Sequence, residues 1–313
     1  MFSKSFRVAT AAASVLMSTT ALMAHDGYQA RVDDHAPIGV MADHYHKAGE
    51  WMASARYMTM QMDDPTSAIG PQEMSKSMIM AGVMYAPVDW VTFAASLGFS
   101  DQEMTSNMMP MGDMGMTPMP MEMNASGITD LNVNALFPVF DTGSSRLVAK
   151  AGLSLPTGDD NDLSDAGMRL GQNMQSGTGS YGFKPALTYS NFQDGWSFGG
   201  QLSAVIWLDD NSYNQRSGDS WMTTAWVSKT LSPSFSISAR TSYDEMEDAK
   251  GKLHDYGTRK RWMAYGGVNY VIRDGSLAGN RFAVEVGAPL DENRADNNLG
   301  TDYRLIVGWQ LAF

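Results

Sequence analysis

The last eleven residues of the chain alternate. Counting back from Phe313, the positions Leu311, Trp309, Val307, Leu305 and Tyr303 are large and apolar. Between them Ala312, Gln310, Gly308 and Arg304 are small or polar, and only Ile306 breaks the order. A period of two sends the two sets to opposite faces of a strand. The same alternation recurs in segments of about ten residues, the length that a tilted membrane strand needs. These segments fall near 50–62, 76–86, 89–99, 127–139, 146–155, 181–191, 196–207, 221–231, 234–244, 262–273, 281–290 and 303–313. Val91, Phe93, Ala95, Leu97 and Phe99 share one face, as do Leu147 to Leu155, Phe235, Ile237 and Ala239, and Phe282 to Ala288. Opposite them lie Thr92 and Ser96, Lys150 and Ser154, Ser236, Ser238 and Arg240, and Glu285. The phase of 221–231 is not assignable from the pattern.

Twelve is an even number, so both ends of the chain fall on one side. The connectors then sort by length. Ala86-Pro87-Val88, 140–145, Gln193-Asp194-Gly195, Ser232-Pro233 and Asp274-Gly275-Ser276 are short turns, while 100–126, 156–180 and 245–261 are long and polar. The expectation is an all-β chain: a transmembrane antiparallel up-and-down β-barrel of about twelve strands, with outer-membrane lipid on its apolar face. The aromatic carboxyl terminus resembles the closing strand by which bacterial outer-membrane barrels are recognised, so the barrel-assembly machinery is an expected partner. A secreted soluble sandwich is the alternative.

The N-terminus agrees with export. Lys4 and Arg7 precede an apolar stretch from Val8 to Met23 that ends Ala21-Leu22-Met23-Ala24, which reads as a signal peptide over 1–24. Residues 25–49 then form a periplasmic or lumenal segment, and 50–313 the barrel. The chain has no cysteine, so no disulfide framework is available. Its formal net charge of -12 argues against nucleic acid as a partner and favours cations.

Methionine changes the picture. Met52, Met58, Met60 and Met62 share a face with Glu50, Ser54 and Arg56, and Met74, Met78, Met80 and Met84 share one with Lys76. An arginine at the bilayer midplane costs about 2–4 kcal/mol, so these faces should point inward. The methionines either fill irregular space or handle a ligand. Other inward charges lean basic: Arg56, Lys76, Lys150, Lys184, Arg240 and Arg304 against Glu50, Asp130 and Glu285. They either line a conduit or pair with the acidic stretch 25–49.

The stretch 104–123, expected as an external loop, holds Met104, Met108, Met109, Met111, Met114, Met116, Met119, Met121 and Met123. Pro110, Pro118 and Pro120 prevent a helix. Thioethers are soft ligands for Cu(I) or Ag(I) and need not lose a proton, and Asp101, Glu103, Asp113 and Glu122 would concentrate cations. Compositional drift and oxidant scavenging are the bland alternatives. Four of five histidines, His25, His35, His44 and His46, crowd the segment before the barrel. His44-Tyr45-His46 sets two imidazoles on one side of an extended chain, and with His35 or Asp43 they could hold Cu(II) or Zn(II). No predicted strand carries a histidine, so a serine–histidine mechanism on the barrel wall lacks its base and no enzyme is expected.

The run His35-Ala36-Pro37-Ile38-Gly39-Val40-Met41-Ala42-Asp43-His44-Tyr45-His46-Lys47-Ala48-Gly49-Glu50-Trp51-Met52 is followed by Tyr57-Met58 and by Leu155-Pro156-Thr157-Gly158-Asp159. Together they resemble the outer-membrane transporter-like family labelled Putative MetA-pathway of phenol degradation, whose members often carry Gly where Ala42 stands. The resemblance implies a barrel and transport. Two functions are expected in competition: copper handling through the Met loop and the inward Met58, Met60, Met78 and Met80, or a passive channel for small hydrophobic or aromatic solutes.

Overall fold

The computed structural model describes residues 31–108, 118–164, 167–251, 258–295 and 299–313. The expected signal peptide, His25, His254, and Met109, Met111, Met114 and Met116 lie outside the described residues. Among the described residues twelve wall strands run antiparallel, and a separate short ladder pairs Gln215–Arg216 with Lys250–Gly251. The wall strands are β1 (Trp51–Asp63), β2 (Gly70–Val88), β3 (Val91–Met108), β4 in two pieces (Met119–Ile128 and Leu131–Asp141), and β5 (Ser145–Leu155). Then come β6 in two pieces (Gly182–Phe183 and Ala186–Gln193), β7 (Trp196–Trp207), β8 (Ser220–Ser232) and β9 (Phe235–Met246). β10 (Arg259–Val271), β11 (Arg281–Arg294) and β12 (Gly300–Ala312) complete the set.

Each strand pairs with its sequence neighbours, and β12 pairs back onto β1, from Met52 opposite Ala312 to Asp63 opposite Gly300. Closure removes the open edges that would leave backbone groups without partners in lipid. The last bonds of the seam join Trp51 N to Phe313 O and Phe313 N to Trp51 O, both at 2.8 Å.

The predicted faces hold. Phe93, Leu97, Leu153, Ile237, Phe282 and Val286 stand exposed on the outside, while Thr92, Ser154, Ser236, Arg240 and Glu285 are buried within. Exposed aromatics collect near both rims: Trp51, Trp90, Phe140, Trp196, Tyr270 and Phe313 at the short-turn end, and Trp221, Trp262 and Tyr303 at the other. That is the girdle expected at two membrane interfaces. In β8 the outward set is Trp221, Thr223, Ala225 and Val227, and Trp226 points inward.

Two expectations need correction. The stretch 100–126 is not a long polar loop: β2 and β3 run past the length a membrane requires, and the outer piece of β4 pairs along β3 from Phe99 opposite Ile128 to Met108 opposite Met119. Alternating residues satisfy a ladder whatever their chemistry, and Pro118 and Pro120 lie at or next to its start, where a missing donor costs little. The alternation of short and long connectors also weakens, because 64–69 and 295–299 are brief once the strands are extended.

Both broken strands break for local reasons. In β6 the gap falls on Lys184-Pro185, where proline offers no N–H to the ladder. In β4 the chain steps at Thr129-Asp130, which frees Asp130 to take the backbone N–H groups of Gly158 and Thr178, each at 3.0 Å. Loop 156–180 is thereby tied to the wall. Thr157 Oγ1 accepts from Leu131 N at 2.9 Å and Asp159 Oδ2 from Ile128 N at 2.9 Å. A Cβ on Gly158 would meet the Ile128 carbonyl oxygen at 2.7 Å, so only glycine allows this approach. The Pro156-Thr157-Gly158-Asp159 motif is a latch.

Candidate functional site: the lumen and its N-terminal plug

Residues 31–49 run inside the barrel at the end where the short turns lie. The segment has no regular structure, so its backbone groups take partners from the wall. Arg281 Nη1 donates to Val32 O at 2.9 Å, Arg146 Nη2 to Asp34 O at 2.8 Å, and Gln201 Nε2 to Met41 O at 2.8 Å. His46 N donates to Thr92 Oγ1 at 2.9 Å. Arg281 also pairs with the Asp34 carboxylate.

Apolar contacts fix the tip of the plug. Ile38 packs on Ala283, Ile306 and Met58, and Ala36 and Val40 pack on Trp226. Ile306, the residue that breaks the alternation of β12, is 2% exposed and points inward to meet Ile38. Gly308 lies beside it, and a Cβ there would stand 2.5 Å from Ile38 Cδ1. Ala42 adopts φ 56, the left-handed region that favours glycine.

At mid-lumen Arg240 donates from Nε and Nη2 to the two carboxylate oxygens of Glu285, at 2.7 and 2.9 Å. Gly39 N adds a third bond to Glu285 Oε2 at 3.0 Å, and the guanidinium lies 3.6 Å from the Tyr265 ring centroid. A pair so placed is compensated, and it anchors the plug tip to β9 and β11. Sequence reasoning placed Arg240 and Glu285 inside. It missed Arg146 and Arg281, which sit at strand ends where period-two phase is weakest.

The histidines are brought together. His35 and His44 have ring centroids 3.9 Å apart, and His44 and His46 5.1 Å apart. His44 Nδ1 lies 2.9 Å from Asp43 Oδ1, His46 Nδ1 3.4 Å from Glu50 Oε2, and His35 Nε2 3.6 Å from Asp34 Oδ1. Burial, reinforced by His44, Arg281 and Arg146, pushes His35 well below the usual imidazole range, and burial also lowers His46 against the pull of Glu50. Burial pushes the Asp43 carboxyl up, but the neighbouring His44, Arg146 and the Ala36 N–H outweigh it and hold it below the usual carboxylate range. A cavity of about 770 Å³ opens beside this cluster at the mouth, lined in part by Asp34, His35, His44, His46, Arg281 and Phe313.

The inward methionines stand on the faces expected from the sequence, and their cross-strand register makes a ladder. Met52 faces Met84, Met58 faces Met78, and Met62 faces Met74 across β1 and β2, with Met60 opposite Lys76 and Arg56 opposite Met80. Towards the outer end Met74 and Met104 are buried with Ala125, Leu170, Met174 and Leu299, and Met62 and Met123 pack against them. Met104 and Met123 were expected in an unburied loop; they belong instead to the core that seats loop 156–180. Met108 and Met119 are exposed and Met121 half-buried.

A closed twelve-stranded barrel with an apolar outer belt, aromatic girdles and a polar interior defines an outer-membrane β-barrel. The family described as Putative MetA-pathway of phenol degradation matches residues 72–299, and the chain belongs to it. No curated protein matches the sequence. Among solved structures it is similar to an outer membrane channel from Pseudomonas putida F1, with a TM-score of 0.65 at 14% identity, covering 88% of this chain and 99% of that one. It is also similar to the β-domain of the Bordetella autotransporter BrkA, with a TM-score of 0.48 at 12% identity, covering 86% of this chain and 100% of that one. Similarity extends to the CymD monoaromatic hydrocarbon channel, with a TM-score of 0.42 at 8% identity, covering 86% and 89% of the two chains. At these identities the likeness is one of fold.

Proposed function

We propose that the protein is a diffusion channel for small apolar or aromatic solutes. The observation that carries this reading is the inward ladder of Met58, Met60, Met78 and Met80 with Lys76 on adjoining strands. Thioethers make favourable contacts with aromatic rings, and cations are drawn to their faces. A sulfur–aromatic contact contributes about 0.3–1.5 kcal/mol and a cation over a ring about 0.5–2 kcal/mol. Several such contacts in series bind a ring well enough to admit it and weakly enough to release it. The plug narrows the axial path, which disfavours large hydrated solutes. Family membership supports the reading, since the family's description names phenol degradation.

The test is flux through purified barrels in liposomes, with phenol and glucose compared. Phenol should pass in clear preference. Changing Met58 and Met78 to Ser should cut that preference by about threefold or more, as the loss of two sulfur–aromatic contacts implies. Equal flux of glucose and phenol through the unaltered protein would sink the proposal.

A second reading keeps soft-metal binding at the hairpin tip. Met108 lies directly opposite Met119 on the outer ladder, and both are exposed. Two thioethers so placed, with the half-buried Met121 on the same strand as Met119, suit Cu(I) or Ag(I). Cu(I) affinity unchanged after replacing Met108, Met119 and Met121 with Leu would remove it.

A further inference from the structure

We propose that His35, His44 and His46 form a three-imidazole site for one divalent transition-metal ion, Zn(II) or Cu(II), built into the plug and facing the periplasmic cavity.

Each of the three rings has one nitrogen beside a carboxylate and one left over. The nitrogens near Asp34, Asp43 and Glu50 are His35 Nε2, His44 Nδ1 and His46 Nδ1. The other three, His35 Nδ1, His44 Nε2 and His46 Nε2, are buried without a hydrogen-bond partner. A buried polar atom left unpaired costs about 1–3 kcal/mol. Three in one cluster, in a plug that otherwise satisfies its polar groups closely, call for something that takes all three. A carboxylate on the far nitrogen is the arrangement that fixes the tautomer and orientation of a metal-binding imidazole and raises its basicity. His44 shows it, with Asp43 at 2.9 Å, while Glu50 stands 3.4 Å from His46 Nδ1 and Asp34 3.6 Å from His35 Nε2.

The spacing of His44 and His46 fits. Two imidazoles on one tetrahedral ion, with metal–nitrogen bonds of about 2.0–2.1 Å, keep their ring centroids roughly 5 Å apart. His44 and His46 stand at 5.1 Å. His35 and His44 are closer, at 3.9 Å, so ligation requires the His35 ring to swing out by about an ångström. One donor atom each from His35, Asp43 and His44 already lies within 4.8 Å of the others. Asp43 is committed elsewhere, with Oδ1 on His44 and Oδ2 accepting the Ala36 N–H at 2.7 Å, so it orients a ligand and is not one itself. The cavity at the mouth supplies an access route and room for water in a fourth position.

All three ligands come from 35–46, a stretch that also contains Ile38 and Gly39, the residues that seat the tip in the lumen. An ion at the histidines would therefore close this stretch into a loop and hold the tip in place. Three imidazoles suit a borderline ion, which separates this site from the soft thioethers of the outer hairpin.

Co(II) titration of the refolded full-length barrel tests the proposal. One equivalent should bind with the strong visible absorption of a four-coordinate ion, and Zn(II) should displace it. Zn(II) should also protect the plug from protease. His35→Ala, His44→Ala and His46→Ala should each weaken binding tenfold or more, while replacing Met108, Met119 and Met121 with Leu should leave it unchanged. A pale octahedral Co(II) spectrum in the unaltered protein would overturn the proposal whether or not the variants fold. So would full Co(II) binding in a protein lacking both His44 and His46.

Discussion

Single residues decide where the plug sits. Glu285 is 1% exposed and takes three bonds, two from Arg240 and one from Gly39. Replacing it with Ala leaves Arg240 buried on the Tyr265 ring, with the Thr224 hydroxyl at 3.5 Å as its remaining hydrogen-bond acceptor. Stability should fall by about 3–5 kcal/mol, the usual penalty for removing one member of a buried pair. Urea unfolding followed by tryptophan fluorescence would measure it, and a loss below about 1 kcal/mol would mean that water enters and replaces the carboxylate. Changing Arg240 to Met and Glu285 to Leu together should recover much of the loss. The sequence placed both residues on the inner face because charge at the lipid face is expensive. It could not show that they meet, since partner choice depends on strand register. Ile306 and Trp226 were unreadable for a related reason. Each is an apolar side chain pointing inward, and a pattern that equates apolar with lipid-facing has no place for a residue that packs against an internal plug.

Elements were legible where the period was clean and the composition ordinary. The hairpin of β3 and β4 was not, because its methionines, prolines and glycines suggested a loop. What decides the matter is the far edge. The outer piece of β4 pairs only with β3, so loop 156–180 must supply what a neighbouring strand would. Asp159 does this for Ile128, with its own N–H reaching the Ile128 carbonyl at 2.9 Å, and Asp130 holds the two backbone donors at 158 and 178. Asp130→Ala would strip both donors of their acceptor. The cost should be about 1–3 kcal/mol for each N–H that water does not reach, borne by the loop and not by the barrel. Limited proteolysis should then cut within 156–180 much faster, while heat-modifiable migration stays as it was. Equal cutting rates in both proteins would show that the core of Met74, Met104, Leu170 and Met174 seats the loop without the latch.

At the scale of the whole molecule, barrel and plug are separable in their bonding. The wall closes through its own ladder, with β12 on β1 and Phe313 on Trp51, and none of those bonds involves residues 31–46. The plug has bonds of its own, such as Ala36 N to Asp43 and Val40 N to Pro37 O, but Arg146, Gln201, Arg240, Glu285 and Arg281 of the wall hold it in place. Deleting 31–46 should therefore leave assembly intact. The cost is the apolar contact of Ile38, Ala36 and Val40, partly offset because Arg146, Arg281 and Gln201 would meet water in a lumen that refills. The deletion should raise single-channel conductance several-fold and abolish any preference for phenol over glucose, since solutes would no longer be forced past the thioether ladder. Planar-bilayer recording and the liposome assay measure the two effects separately. A larger conductance with the preference kept would place selectivity in the ladder alone. Conductance that does not change would move the constriction to the other end, where Leu170 and Met174 of loop 156–180 pack on Met74 and Met104 of the wall. In that case Asp130→Ala, which loosens that loop, is the variant that should open the channel.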